Sequence, residues 1–148
     1  MEIRTMTDEQ RRAIALEYLK RLDRGQDALG LFDENAIVYF PKWGFARGVQ
    51  EIGHLFGDLM TILDAISHDV VYPNIIQQGD MVVVESTTSG RTKGGVEWRA
   101  GLTHAGRWCD VFEIRDFKIQ RLSIYLDPDY AGADTKRYPW LDDNSQPR

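Results

Sequence analysis

The stretch WCDVFEIRDFKIQRLSIYLDP, residues 108–128, decides the fold of this chain. Apolar and polar residues alternate along its first half and again after Lys118, as they do in strands that bury one face. Asp116-Phe117 interrupts the alternation at the point where a tight turn is expected. The stretch therefore predicts two long neighbouring strands, at 107–115 and 118–126.

Further strand patterns lie upstream of this hairpin. Residues 68–78 and 81–92 predict two strands with a turn at Gly79-Asp80, and AIVYFP (36–41) predicts a strand that Pro41 ends. Residues 93–106 contain four glycines without clean alternation, so a hairpin and loop are expected there. Residues 43–48 are likewise expected to form a loop.

Helical patterns occupy the N-terminal part of the chain. Thr7 and Gln10 form a capping-box pattern that predicts a helix over 8–24. A short second helix is predicted from Asp27. A third is predicted from Gly48 to about residue 66, where apolar residues recur at helical spacing. Three N-terminal helices followed by long strands predict an α+β fold, in which a curved antiparallel sheet and its helices enclose a pocket.

One domain is expected to span residues 1–148, with its core at 7–128. The extension at 129–148 is polar and rich in proline, and we expect it to be partly disordered, above all in DDNSQPR at its end.

Composition excludes several classes of function. The 148 residues are 43% hydrophobic and 28% charged, which is typical of a globular domain, and the net charge is −5 without a basic cluster. Nucleic acid is therefore not an expected partner. The single cysteine, Cys109, cannot form an internal disulfide, and no zinc-ligand spacing occurs, so neither a structural metal nor a cofactor is expected.

The expected location is the cytoplasm. The first twelve residues reach no apolar segment before their charges begin, so no signal peptide is predicted. No apolar run approaches the roughly 20 residues that a membrane span needs, so no membrane partner is predicted either.

The predicted order of elements, helix–helix–strand–helix–four strands, resembles the NTF2-like superfamily over about residues 7–128. Local strings at 19–41, 79–90 and 108–128 carry the resemblance, which in motif is to the SnoaL-like and ketosteroid-isomerase-like branches. The superfamily includes isomerases, dehydratases, cyclases, epoxide hydrolases and proteins that only bind ligands. The resemblance therefore implies a fold more sharply than a reaction.

Comparison with individual branches implies four candidate catalytic residues. Tyr18 and Asp110 stand where ketosteroid isomerases carry the two donors of their oxyanion hole, but Phe40 occupies the position of the catalytic base. Asp127 resembles the closing-strand aspartate of limonene epoxide hydrolases. In those enzymes this aspartate works with an Arg-x-Asp pair. No such pair occurs in residues 83–90, which disfavours epoxide hydrolysis. His68 resembles the histidine that scytalone and bile-acid dehydratases carry after the long helix.

The residues themselves leave alternatives open for each candidate. Asp110 alternates with Trp108 and Phe112, so its carboxyl is expected in an aromatic environment, either protonated with a raised pKa or paired with an arginine. Tyr18 lies on the buried stripe of its helix. Its hydroxyl either donates to a ligand or belongs to a core tyrosine. His68 suits general acid or base catalysis, or a surface or capping role, and Asp127 suits a site or a turn.

The remaining candidates are ligand-contacting residues, for which core packing is the alternative: Trp108, Phe112, Phe40, Trp43, Tyr39, Tyr125 and His104.

The leading functional hypothesis is a cofactor-free isomerase, cyclase or dehydratase that acts on a small, mostly apolar, oxygenated molecule. A non-catalytic ligand-binding domain and a homodimeric interaction module are the alternatives. Cys109, Val111 and Glu113 are expected on the sheet face opposite Asp110, where a second copy would cover them, so a homodimer is predicted.

Overall fold

The computed structural model describes residues 5–141, and within them the chain forms two α-helices rather than the predicted three. Helix α1 spans Asp8–Asp23 and helix α2 spans Gly48–Ile62. The predicted capping box opens α1: the Thr7 hydroxyl accepts from the Gln10 backbone N–H at 3.2 Å, and the Gln10 side chain accepts from the Thr7 N–H at 2.9 Å.

The predicted second helix is a single 3₁₀ turn, Leu29–Leu31. Asp27 does cap this turn, since its carboxylate accepts from the Leu29 N–H at 2.8 Å. A strand begins at Phe32, however, so the segment is too short for an α-helix.

In the described part of the chain eight strands form the sheet: β1 Phe32–Phe40, β2 Gly44–Arg47, β3 Leu63–His68, β4 Asn74–Gln78, β5 Met81–Thr92, β6 Glu97–Arg99, β7 Arg107–Arg115 and β8 Lys118–Leu126. The last two strands and β5 have the predicted bounds.

Other boundaries differ from the prediction. The predicted loop at 43–48 contains β2, and α2 ends before residue 66 because β3 pairs with β5. Residues 69–73 do not continue a strand, because the Asp69 carboxylate accepts from the Val71 and Tyr72 N–H groups and holds a turn.

The sheet is mixed rather than wholly antiparallel. Its main order is β2-β1-β8-β7-β5-β3; the first half of β5 also pairs with β4, and its second half with β6. Strands β1 and β8 run parallel, whereas the other pairs are antiparallel. A hairpin pattern fixes the relative direction of neighbouring strands, but β1 and β8 lie far apart in the chain, so local alternation carries no information on their direction.

The helices pack on the concave face of this curved sheet and enclose the core. Along β7 the buried residues are Trp108, Asp110, Phe112 and Ile114, and the side chains between them are only partly covered. A second buried cluster consists of Leu63, Trp98, Ala105 and Tyr130. Gly90 allows this packing, because a Cβ there would lie 2.3 Å from the Trp98 ring.

The segment after β8 packs against the domain as far as residue 141, and Tyr130 is its buried residue, 6% exposed. We call residues 127–141 the strap. The predicted disorder of DDNSQPR concerns residues 142–148, which lie outside the described residues. No helix between residues 5 and 141 is long and apolar enough to cross a membrane.

Candidate functional site

A cavity of about 90 Å³ lies between the helices and the sheet, and we call it the inner cavity. Most of its wall is apolar: Leu22, Phe40, Phe56, Leu59, Met60, Leu63, Ile66, Trp108, Ile124 and Leu126. Its polar residues come from five elements: Tyr18, His68, Thr88, Asp110 and Tyr130. A few polar groups that converge in an apolar cavity are typical of a small-molecule site.

Asp110 provides the carboxyl group of the cavity. It lies in the middle of β7, is 3% exposed, and has no hydrogen-bond or ion-pair partner among residues 5–141. Burial in this apolar wall raises its pKa well above the ordinary value. The arginine pair considered from the sequence is not formed: Arg121, for example, pairs with Glu113 at 3.5 Å. In its protonated form this carboxyl group is a hydrogen-bond donor.

Tyr18 enters the cavity from α1 and is 1% exposed. Its ring makes edge contacts with Phe112 at 5.6 Å and Phe32 at 5.9 Å between centroids, which fixes its orientation. Burial raises the pKa of its hydroxyl, and nearby Asp110 and Tyr130 raise it further. The hydroxyl therefore stays protonated as a second donor.

His68 contributes an imidazole ring to the cavity wall, and Asp23 holds it. The last residue of α1, Asp23, accepts from the His68 backbone N–H at 2.8 Å with one oxygen and contacts the ring Nδ1 at 2.5 Å with the other. Because a carboxylate only accepts, the Nδ1 proton points to Asp23, and Nε2 presents its lone pair in the neutral ring. The Trp108 ring packs edge-on against the imidazole at 5.4 Å.

Two further polar groups line the cavity. Tyr130 reaches it from the strap, and its pKa is raised by burial and then by Asp110 and Asp127. The Trp108 indole N–H is buried and has no acceptor among the described residues. A buried donor without a protein partner suits a ligand that supplies the acceptor.

Four of the residues proposed from the sequence therefore lie in one cavity with Phe40: Tyr18, His68, Trp108 and Asp110. Phe112 lies behind Tyr18 in the core, completely buried, rather than in the cavity wall.

The other proposed residues lie outside the cavity. Tyr39 and Tyr125 contact each other at 5.9 Å on the outer face of the sheet, and Trp43 is 37% exposed with its indole N–H on Asp58. His104 is exposed in the loop before β7. Asp127 accepts from the Asp129 N–H at 2.9 Å and so begins the turn that leaves the sheet.

Sequence reasoning missed Asp23 and Tyr130. Asp23 ends a helix and pairs with a residue 45 positions away, so no local pattern identifies it. Tyr130 lies in the polar extension, where its one signal is an aromatic residue among polar neighbours. Within residues 5–141 no three His, Cys, Asp or Glu side chains form a group that could hold a metal.

Comparison with known proteins gives a family match. The sequence profile of the SnoaL-like domain matches residues 15–122. No curated protein matches the chain.

Solved structures share the fold at low sequence identity. An NTF2-like protein from Burkholderia xenovorans LB400 aligns with a TM-score of 0.66 at 19% identity, over 86% of this chain and 97% of that one. TerC, crystallised with polyporic acid, gives 0.67 at 19% identity, over 80% and 92%. A protein assigned as a SnoaL-like polyketide cyclase from Jannaschia sp. CCS1 gives 0.66 at 16% identity, over 86% and 92%.

Proposed function

The chain belongs to the SnoaL-like domain family, and on that premise we propose that it is a cofactor-free acid–base enzyme that enolises a small, mostly apolar carbonyl compound. One observation carries the proposal: a histidine oriented by a carboxylate and a buried carboxyl group with a raised pKa line the same apolar cavity. The two groups have opposite chemical capacities, as a base and an acid that act on one substrate require.

The reaction begins with a proton transfer to His68. Its Nε2 takes a proton from the carbon next to the carbonyl, the C–H electron pair forms a C=C bond, and the carbonyl π pair moves onto oxygen. The imidazolium that results is stabilised by the Asp23 carboxylate, which contacts Nδ1.

Asp110 and Tyr18 donate to the oxygen on which negative charge develops. Both are buried in an apolar wall, so their dipoles need little reorganisation and are poorly screened. Isomerisation follows when the proton returns to another carbon. Dehydration follows when a β-hydroxyl leaves with that proton as water, and cyclisation when the enolate carbon attacks a second carbonyl.

The proposed base differs from the one that the ketosteroid isomerase comparison would supply. Phe40 closes the cavity at that position, whereas His68 approaches from the end of β3. Position 40 is Phe here rather than the aspartate of ketosteroid isomerases, but the proposed site still has a base in His68.

The test is hydrogen–deuterium exchange at the α-carbon of 2-tetralone in D₂O, followed by NMR. The protein should accelerate the exchange, and His68→Gln should lower that acceleration by about 10²- to 10⁴-fold. The matched control is His104→Gln, because His104 is exposed outside the cavity.

Three results separate the alternatives. A protein that binds 2-tetralone but never accelerates exchange is a binding domain. A protein that neither binds 2-tetralone nor accelerates its exchange favours the interaction module. Equal losses in the two histidine variants would contradict the role of His68.

A further inference from the structure

A groove on the surface lies directly beside the inner cavity. It has a volume of about 560 Å³ and is bounded by the end of β1, the second half of α2 and the strap. Apolar side chains such as Trp43, Ile62 and Ala133 line it, and Phe40 and Leu59 line both the groove and the inner cavity. Two apolar residues therefore stand between the two volumes.

The inner cavity is too small to hold a substrate alone. Its volume is about 90 Å³. Sites for drug-sized molecules measure about 300–1,000 Å³. The groove lies within that range and supplies the missing space.

The strap between the groove and the cavity is attached in a way that permits movement. Its hydrogen bonds are internal, for instance from Ala133 and Asp134 N–H groups to the Asp129 carboxylate at 2.9 and 2.8 Å. None joins residues 127–141 to the rest of the described chain. Its buried side chain is Tyr130, whose ring packs on Trp98 at 4.6 Å between centroids. A segment without hydrogen bonds to the rest of the domain can shift as a unit.

The acidic residues of the groove already have partners. Both oxygens of Asp129 accept strap N–H groups, and the Asp58 carboxylate accepts from the Trp43 indole at 2.9 Å. Asp134 lies 3.4 Å from Arg137. The groove therefore presents mainly apolar surface, and its carboxylates have hydrogen-bond or ion-pair partners.

We propose that this groove is the binding site for the apolar body of the substrate, whose carbonyl end passes Phe40 and Leu59 into the inner cavity. The substrate is then an elongated, mainly apolar carbonyl compound. The inference rests on the proposed function in taking the inner cavity as the reactive end.

The experiment compares the affinities of phenol and 4-phenylphenol by calorimetry. Both carry a hydroxyl for the inner cavity, but the second ring of 4-phenylphenol requires the groove. We expect 4-phenylphenol to bind about tenfold more tightly than phenol. Ala133→Trp fills the groove and should remove this advantage while leaving phenol within about twofold.

The matched control is Ala131→Trp, because Ala131 lies on the same strap and lines neither volume. It should leave both affinities within about twofold. If Ala133→Trp does not fold, Ile62→Trp fills the same groove from α2.

Two results would overturn the proposal: 4-phenylphenol that binds no more tightly than phenol, or equal effects of the two alanine substitutions. The variant Asp110→Asn distinguishes failure of the proposed function from failure of the groove assignment. If it leaves both affinities unchanged while Ala133→Trp acts selectively, the groove binds ligand but the proposed reactive end is wrong. If it weakens both probes while Ala133→Trp has no effect, the groove assignment fails alone.

Discussion

Asp23 holds His68 with both of its carboxylate oxygens, one on the backbone N–H at 2.8 Å and one on the ring Nδ1 at 2.5 Å. The pair joins the last residue of α1 to the last residue of β3 and directs the opposite ring nitrogen away from Asp23. The two side chains are 20% and 10% exposed, so water competes weakly for these bonds. In the proposed mechanism Asp23 acts through His68 and is therefore a positioning residue.

Asp23→Ala should destabilise the fold by about 1–3 kcal/mol, because it leaves two donors of His68 unpaired in a poorly hydrated place. Urea unfolding measures the loss. Asp64→Ala is the control: Asp64 pairs with Arg91 at the surface, and its loss should change stability far less.

Asp23→Asn tests the positioning role separately from stability. A carboxylate can accept only from an Nδ1 proton, whereas an amide can also donate to Nδ1, so the variant should populate both ring tautomers. The ¹⁵N shifts of the His68 ring report this directly. Unchanged tautomers together with unchanged exchange of 2-tetralone would assign Asp23 a purely structural role.

Local patterns predicted the elements that local physics determines. The capping box set the start of α1, and alternation set β5, β7 and β8 with their exact bounds. Alternation also predicted that Asp110 and Trp108 point inward, and both are buried in the structure. These two residues form part of the proposed site.

Long-range contacts set what the sequence did not predict. The parallel pairing of β1 with β8 and the pairing of β3 with β5 depend on strands distant in the chain. The contact between Asp23 and His68 and the burial of Tyr130 are of the same kind. Neither Asp23 nor Tyr130 stands in a periodic pattern that distinguishes it from surface polar residues.

A homodimer through the outer face of the sheet stays a prediction, and the residues on that face show how it would form. Register places Ile76, Val83, Val111, Tyr39 and Phe45 in one row across the strands, interrupted by Ser123. Beside this row, Glu113 is paired with Arg115 at 2.7 Å and Arg121 at 3.5 Å. A second copy could cover the row while Glu113 keeps its ion pairs.

Sedimentation at micromolar concentration should therefore give twice the chain mass. Val111→Lys should give monomers, because it introduces a charge at the centre of the row. Ala131→Lys on the strap should leave the dimer intact. A wild-type monomer would contradict the prediction.

Tyr130→Ala should release the strap without unfolding the domain. The ring is the strap's buried anchor, and its contact with Trp98 is lost in the variant. Trypsin should then cut at Lys136 and Arg137 about tenfold faster than in the wild type.

Tyr130→Phe keeps the ring and should keep the wild-type cleavage rate. Tyr138→Ala, at an exposed position on the same strap, is a further control. Equal cleavage in Tyr130→Ala and the wild type would show that another contact anchors the strap.

Asp110 should make stability fall as pH rises. Burial raises its pKa in the folded chain above the unfolded value of about 3.9, so between the two values the folded state binds more protons. Unfolding free energy then decreases with pH, at a limiting slope of about 1.4 kcal/mol per pH unit for one proton, from near pH 4 up to the folded pKa. Asp110→Asn lacks this proton, so the variant should gain stability relative to the wild type across that window and show no relative gain below it.

Urea unfolding of both proteins at pH 4, 6 and 8 measures the difference. An ion-paired Asp110 would have a lowered pKa, so the wild type would gain on the variant only below about pH 4, and the difference between the two proteins would stay constant from pH 4 to 8. A constant difference would remove the acid from the proposed mechanism.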